Sequence, residues 1–64
     1  MNYNVEELIA LINGDLENNV FSNWPVLKNK LKHIIKKLNK LKYLSNAEPL
    51  TVKELSCLKQ NDYI

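Results

Sequence analysis

His33, Cys57 and seven carboxylates are the whole stock from which this chain could draw acid–base or nucleophilic chemistry. A cysteine beside a histidine can work as thiolate and base when the two approach within about 3 Å and a third group orients the imidazole. The spacing argues against such a pair: His33 points away from the apolar seam of its helix, among lysines, and Cys57 reads as a small half-buried apolar residue on a later helix. Structural zinc takes about four nitrogen or sulfur ligands, and the chain offers two. A single glycine leaves no glycine-rich phosphate loop. The expectation is a non-enzyme with no catalytic residues, no metal site and no cofactor.

The remaining chemistry is charge. Lys28, Lys32, Lys36 and Lys40 recur every four residues and would line up about 6 Å apart along a helix, with Lys30 and Lys37 on the other edge of the seam. Each like-charge i,i+4 contact in such a row costs about 0.2–0.5 kcal/mol, which an anionic surface would offset. An acidic protein surface would be steered toward the row, and a nucleic-acid backbone would bind it with steep salt dependence. Trp24 and Tyr43 join these four lysines as candidate partner-binding residues, because tryptophan and tyrosine are over-represented among side chains that dominate binding energy. The competing reading is a solvated face whose charge Glu6, Glu7, Asp15 and Glu17 partly offset.

Positioning these groups is the task of three helices. Asn4 can cap the first, with Glu7 three positions on to complete a capping box, and Val5, Leu8, Ile9, Ile12 and Leu16 fall on one face. This helix is predicted over about residues 5–18, running through Gly14, with Val20 and Phe21 of the following connector turned inward. Ser22 or Asn23 is expected to cap the second helix, over about 24–43, with Pro25 in its first turn. Trp24, Leu27, Leu31, Ile34, Leu38 and Leu41 alternate steps of three and four, and Ile35 widens the stripe, so Trp24 is expected mainly in the core. The heptad run covers about two and a half repeats, too few for an autonomous coiled coil. A turn at Ser45-Asn46-Ala47-Glu48-Pro49 precedes the third helix, over about 52–60. There Thr51 and Glu54 form a second box, and Leu50 against Leu55 forms a hydrophobic staple.

Leu50-Thr51-Val52-Lys53-Glu54-Leu55-Ser56-Cys57-Leu58 resembles the Leu-Thr-x-x-Glu-x-x-x-Leu opening of the helix-turn-helix in response-regulator output domains. The resemblance covers nine residues, and a capping box before any amphipathic helix generates the same string. Six residues follow Leu58, fewer than the recognition helix of such domains requires, so their function is not carried over.

Sixty-four residues with 45% apolar and 25% charged content fit one domain, an all-α three-helix bundle or a helical hairpin with a docked third helix. No segment alternates with the period of a strand. A chain this short hides only about 60% of its unfolded surface, a thin margin that favours a partner or a homodimer. Residues 1–27 carry four acids and no base, whereas residues 28–42 carry seven lysines and no acid. All nine basic residues are lysine, and without the rigid fork of arginine sequence-specific base readout is disfavoured. The longest unbroken apolar run, Leu8 to Ile12, is far short of the about 20 residues that cross a bilayer. One cysteine and a start lacking the pattern of a signal peptide lead to the expectation of a cytoplasmic protein with no membrane contact. Together these features predict a small helical interaction protein of the inhibitor, antitoxin or mobile-element-regulator type that binds and modulates a larger protein. The alternative is a nucleic-acid binder without sequence preference.

Overall fold

The computed structural model describes residues 3–44 and 46–64, and contains three α-helices: α1 (Val5–Glu17), α2 (Pro25–Tyr43) and α3 (Val52–Gln60). The described residues contain no strand. Ser45, the first residue of the expected turn after α2, lies outside the described residues, as do Met1 and Asn2 at the chain start.

Helix α1 begins as its residues dictate. The Asn4 side chain accepts from the backbone N–H of Glu7 at 3.0 Å, although Glu7 stays exposed and makes no return bond, so only half of the expected box forms. The helix passes straight through Gly14 and ends at Glu17. There Asn19 takes a left-handed conformation (φ 57°), and the N–H groups of Asn19 and Val20 reach back to the carbonyls of Leu16 and Asp15. This is a Schellman closure with asparagine in the place usually held by glycine. It aims Val20 outward, leaving it 47% exposed, and returns Phe21 to the core. The expectation that both residues turn inward is therefore half corrected, because the left-handed step at Asn19 separates their directions.

Gly14 itself is a measurable weakness. A Cβ built there meets nothing within 4 Å, and its φ is not positive. Gly14→Ala is expected to stabilise the protein by about 0.5–1 kcal/mol, by removing freedom from the unfolded chain at a helix position that tolerates a side chain. A urea titration at neutral pH checks this, and an unchanged or lower midpoint would contradict a continuous helix at residue 14.

The cap of α2 is neither Ser22 nor Asn23. Pro25 occupies the first helical position, so the N-cap slot falls to Trp24, which has φ −131°, ψ 71° and no side-chain cap bond. A residue before proline is driven away from the α region. The same dihedral angles rotate the indole off the stripe that begins at Leu27, and Trp24 is 58% exposed instead of lying in the core. Beyond it the stripe behaves as its spacing requires. Leu31, Ile34 and Leu38 are completely or almost completely buried, while Leu27, Ile35 and Leu41 are half-buried against the same cluster.

Helix α1 packs along α2, and α3 stands further from both. What fixes α3 is its first turn. Thr51 Oγ1 accepts from the N–H of Glu54 at 3.2 Å, and Glu54 Oε1 accepts from the N–H of Thr51 at 2.8 Å, completing the box. Leu50 and Leu58 are buried, and Leu55 and Cys57 pack against the core from opposite flanks of the helix. The helix closes as α1 does, with Asp62 left-handed (φ 63°) and the N–H of Tyr63 donating to the carbonyl of Leu58. The Tyr63 phenol then donates to the Asp15 carboxylate, tying the tail to α1. Burial, and with it the hydrogen bond and negative charge of Asp15, pushes the Tyr63 phenol well above its ordinary value. The core therefore draws on all three helices, with Leu8 and Ile12 from α1, Leu31, Ile34 and Leu38 from α2, and Leu58 from α3.

Candidate functional site

The six residues singled out by the sequence do not converge. Lys28 is half-buried, and Lys32, Lys36 and Lys40 are exposed, in a row that winds from the flank of α2 to its outer face. No carboxylate among the described residues lies within 4.0 Å of any of the four. The expected offset by α1 is thus not made through direct ion pairs, and Asp15 is engaged by Tyr63 instead. Tyr43 is 75% exposed at the far end of α2, with the Lys42 ammonium 5.4 Å from its ring centre. Trp24 lies at the opposite end, nineteen helical residues away, or about 28 Å along the axis. The two aromatics and the lysine row are therefore spread along the whole length of α2 instead of gathered at one point.

A different set does converge, in the space that α3 leaves by standing off from α2. Two adjoining hollows of about 640 and 810 Å³ share Val26, Lys30, Lys53 and Cys57. The first continues to His33, Ile34 and Lys37 on α2, facing Glu54 on α3. The second continues to Trp24 and Pro25, facing Val52, Ser56 and Asn61. Helix α3 thus runs back along α2, and the cleft follows α2 from Trp24 to Lys37, about 20 Å. Val26 and Val52 are 67% and 80% exposed, so with Trp24 they give the cleft an apolar surface open to solvent.

The cleft's electrostatics rest on Glu54. Its Oε1 accepts from the Lys37 ammonium at 2.8 Å as well as from the Thr51 N–H, and its Oε2 lies 4.0 Å from Nε2 of His33, which can pair with it only when protonated. Burial acts to raise the Glu54 carboxyl, but the hydrogen bonds from Lys37 and Thr51 and the Lys37 charge together outweigh it and hold the group below its ordinary value. Lys37 is thereby neutralised. Lys30 and Lys53 line the cleft without a carboxylate partner among the described residues. Cys57 and His33 line the same hollow, yet the only side-chain neighbour bonded to Cys57 Sγ among the described residues is Asn61 Nδ2, at 3.9 Å.

Sequence reasoning placed Lys30 and Lys37 on the second edge of the seam but missed Val26, Val52 and Lys53. A signal was present, since Val26 and Val52 are valines in first helical turns that lie off the apolar stripe of their helices. Among the described residues the other exposed large apolar side chains are Leu11, Val20, Tyr43, Leu44 and Ile64, none of which lines this cleft. No helix among the described residues is long and apolar enough to cross a membrane. No family model matches the chain, and comparison with curated proteins and with solved structures gave no match.

Proposed function

We propose that this chain is a small non-enzymatic interaction protein that binds a larger protein and modulates it, in the manner of cytoplasmic inhibitors, antitoxins or mobile-element regulators. The observation that carries this reading is uncovered surface. The accessible area is 4780 Å², whereas a monomer of this mass is expected to expose about 4,250 Å². Part of the apolar portion is gathered in the cleft between α2 and α3 instead of being scattered. Contiguous exposed apolar surface rimmed by polar groups is characteristic of protein contact sites. The apolar stripe of α2 from Leu27 to Leu41 is already packed within one chain, so self-association would have to use other surface. Affinity capture from the native cell, with the partner identified and its binding reconstituted from purified components, tests the proposal. Failure of every captured protein to bind in reconstitution would reject it.

The unpaired row Lys28, Lys32, Lys36 and Lys40 favours a second reading, contact with a nucleic-acid backbone. Changing all four to glutamine is expected to slow association with an acidic protein partner and flatten its salt dependence, with little loss of final affinity. If the row instead holds phosphates, the same variant loses most of its affinity for random duplex at low salt. Association rates measured at two ionic strengths separate these outcomes. A variant that behaves like the parent in both assays removes the row from recognition altogether.

A further inference from the structure

Resting on the reading of the chain as a protein-binding module, we propose that the α2–α3 cleft receives an acidic amphipathic helix of the partner protein, about three and a half turns long. The length follows from the cleft, which runs about 20 Å from Trp24 to Lys37 and so matches about 13 helical residues. The mode follows from its walls. Two helices with an apolar trough between them, open along one side, suit a third helix that inserts side chains at i, i+3 or i+4, and i+7. Trp24, Val26 and Val52 supply exposed apolar contacts toward one end, and the almost fully buried Ile34 floors the other.

The charge of the occupant follows from the rim. Lys30 on α2 and Lys53 on α3 line the cleft with no carboxylate partner among the described residues, and Lys37 is balanced by Glu54, so the cleft is net positive before His33 is counted. A second copy of this chain fits poorly. Two clefts brought together about a twofold axis would oppose lysine to lysine, and the acidic helix α1 exposes one large apolar residue, Leu11, because its apolar face is turned into the core. Nucleic acid also fits poorly, since phosphates gain nothing from a trough formed by valines and an indole.

Trp24, the only tryptophan, provides the reporter. The probe is a synthetic peptide of about fourteen residues with leucines at i, i+3, i+4 and i+7 and glutamates on its other face. Its binding is expected to shift Trp24 emission to the blue, to weaken with salt, and to exceed that of the same peptide carrying lysines by at least about tenfold. The double variant Val26→Glu and Val52→Glu cancels the cleft's excess positive charge at two exposed sites in first helical turns, where acidic residues favour the helix. It should keep its helical circular dichroism and lose at least about tenfold in affinity for the acidic peptide. No emission shift with the acidic peptide, or equal shifts with both peptides, would overturn the proposal. A shift produced by random duplex and not by the acidic peptide would reassign the cleft to nucleic acid, and one produced by raising the protein concentration alone would reassign it to a second copy. If the reconstituted partner binds the double variant as tightly as the parent, the cleft assignment falls while the protein-binding reading stands. If no partner binds the parent, that reading falls.

Discussion

Leu31→Ala is expected to remove a large share of the folding stability at 25 °C. Leu31 is completely buried at the middle of α2, in the cluster that includes Leu8 and Ile12 of α1 and Leu58 of α3. Removing buried methyl and methylene groups from such a site costs about 2–5 kcal/mol, because lost transfer energy and the cavity left behind add together. The whole protein, at about 0.05–0.15 kcal/mol per residue, holds only about 3–10 kcal/mol of stability. One truncation can therefore exhaust it. Urea titration followed by far-ultraviolet circular dichroism would show the transition moved to much lower urea, or absent where the loss matches the whole stability. Val52→Ala, at a site 80% exposed, should move the midpoint within about 0.5 kcal/mol of the parent. A Leu31 variant that loses less than about 1 kcal/mol would mean that the stripe on α2 is not the core.

Glu54→Gln should produce the second largest loss, about 1–2 kcal/mol at neutral pH. Glutamine can still accept the Thr51 N–H, so the capping box survives in outline and the change isolates the charge. What is lost is the charged partner of a Lys37 ammonium whose side chain is only 20% exposed. The acid response follows from the same contact. The folded carboxyl lies below its ordinary value of 4.5, so its contribution is complete above that value and disappears as pH falls through the depressed folded one. The parent should therefore lose stability progressively on acidification below about pH 4.5, and Glu54→Gln should lose less over the same interval. Urea titrations at pH 7 and at about pH 3 test the sign. Parallel curves for the two proteins would show that the Lys37–Glu54 contact contributes nothing to folding.

How far the sequence reaches depends on whether the relevant physics is local. The start of α3 was legible because a box of Thr51 and Glu54 is decided within four residues, and the structure forms both of its bonds. The stripe from Leu27 to Leu41 was legible because period alone assigns a face. Trp24 was misplaced because periodicity presumes helical dihedral angles, and Pro25 denies them to the residue before it. Val20 was misplaced because the left-handed closure at Asn19 carries none of the glycine signal that usually announces it. The cleft was out of reach for a different reason. Its volume depends on how far α3 stands from α2, a distance that no pattern within either helix encodes, and its lining comes from residues up to about 38 positions apart in the chain. The lysine row, by contrast, is purely local, and it drew attention to the outer face of α2 instead of the side that α3 approaches.

The bond between Tyr63 and Asp15 bears on the order of assembly. It joins residues 48 apart, and closing a loop of that length from an open chain costs about 3.4 kcal/mol or more, against about 1.5–3 kcal/mol returned by one hydrogen bond to a charged group. The clasp cannot lead. It forms after α1, α2 and α3 have already brought its ends together, so it belongs to the descent beyond the folding barrier and not to the climb. This latch consequently lengthens the survival of the native molecule through each thermal excursion, while the speed of its arrival is governed by the coils that meet first.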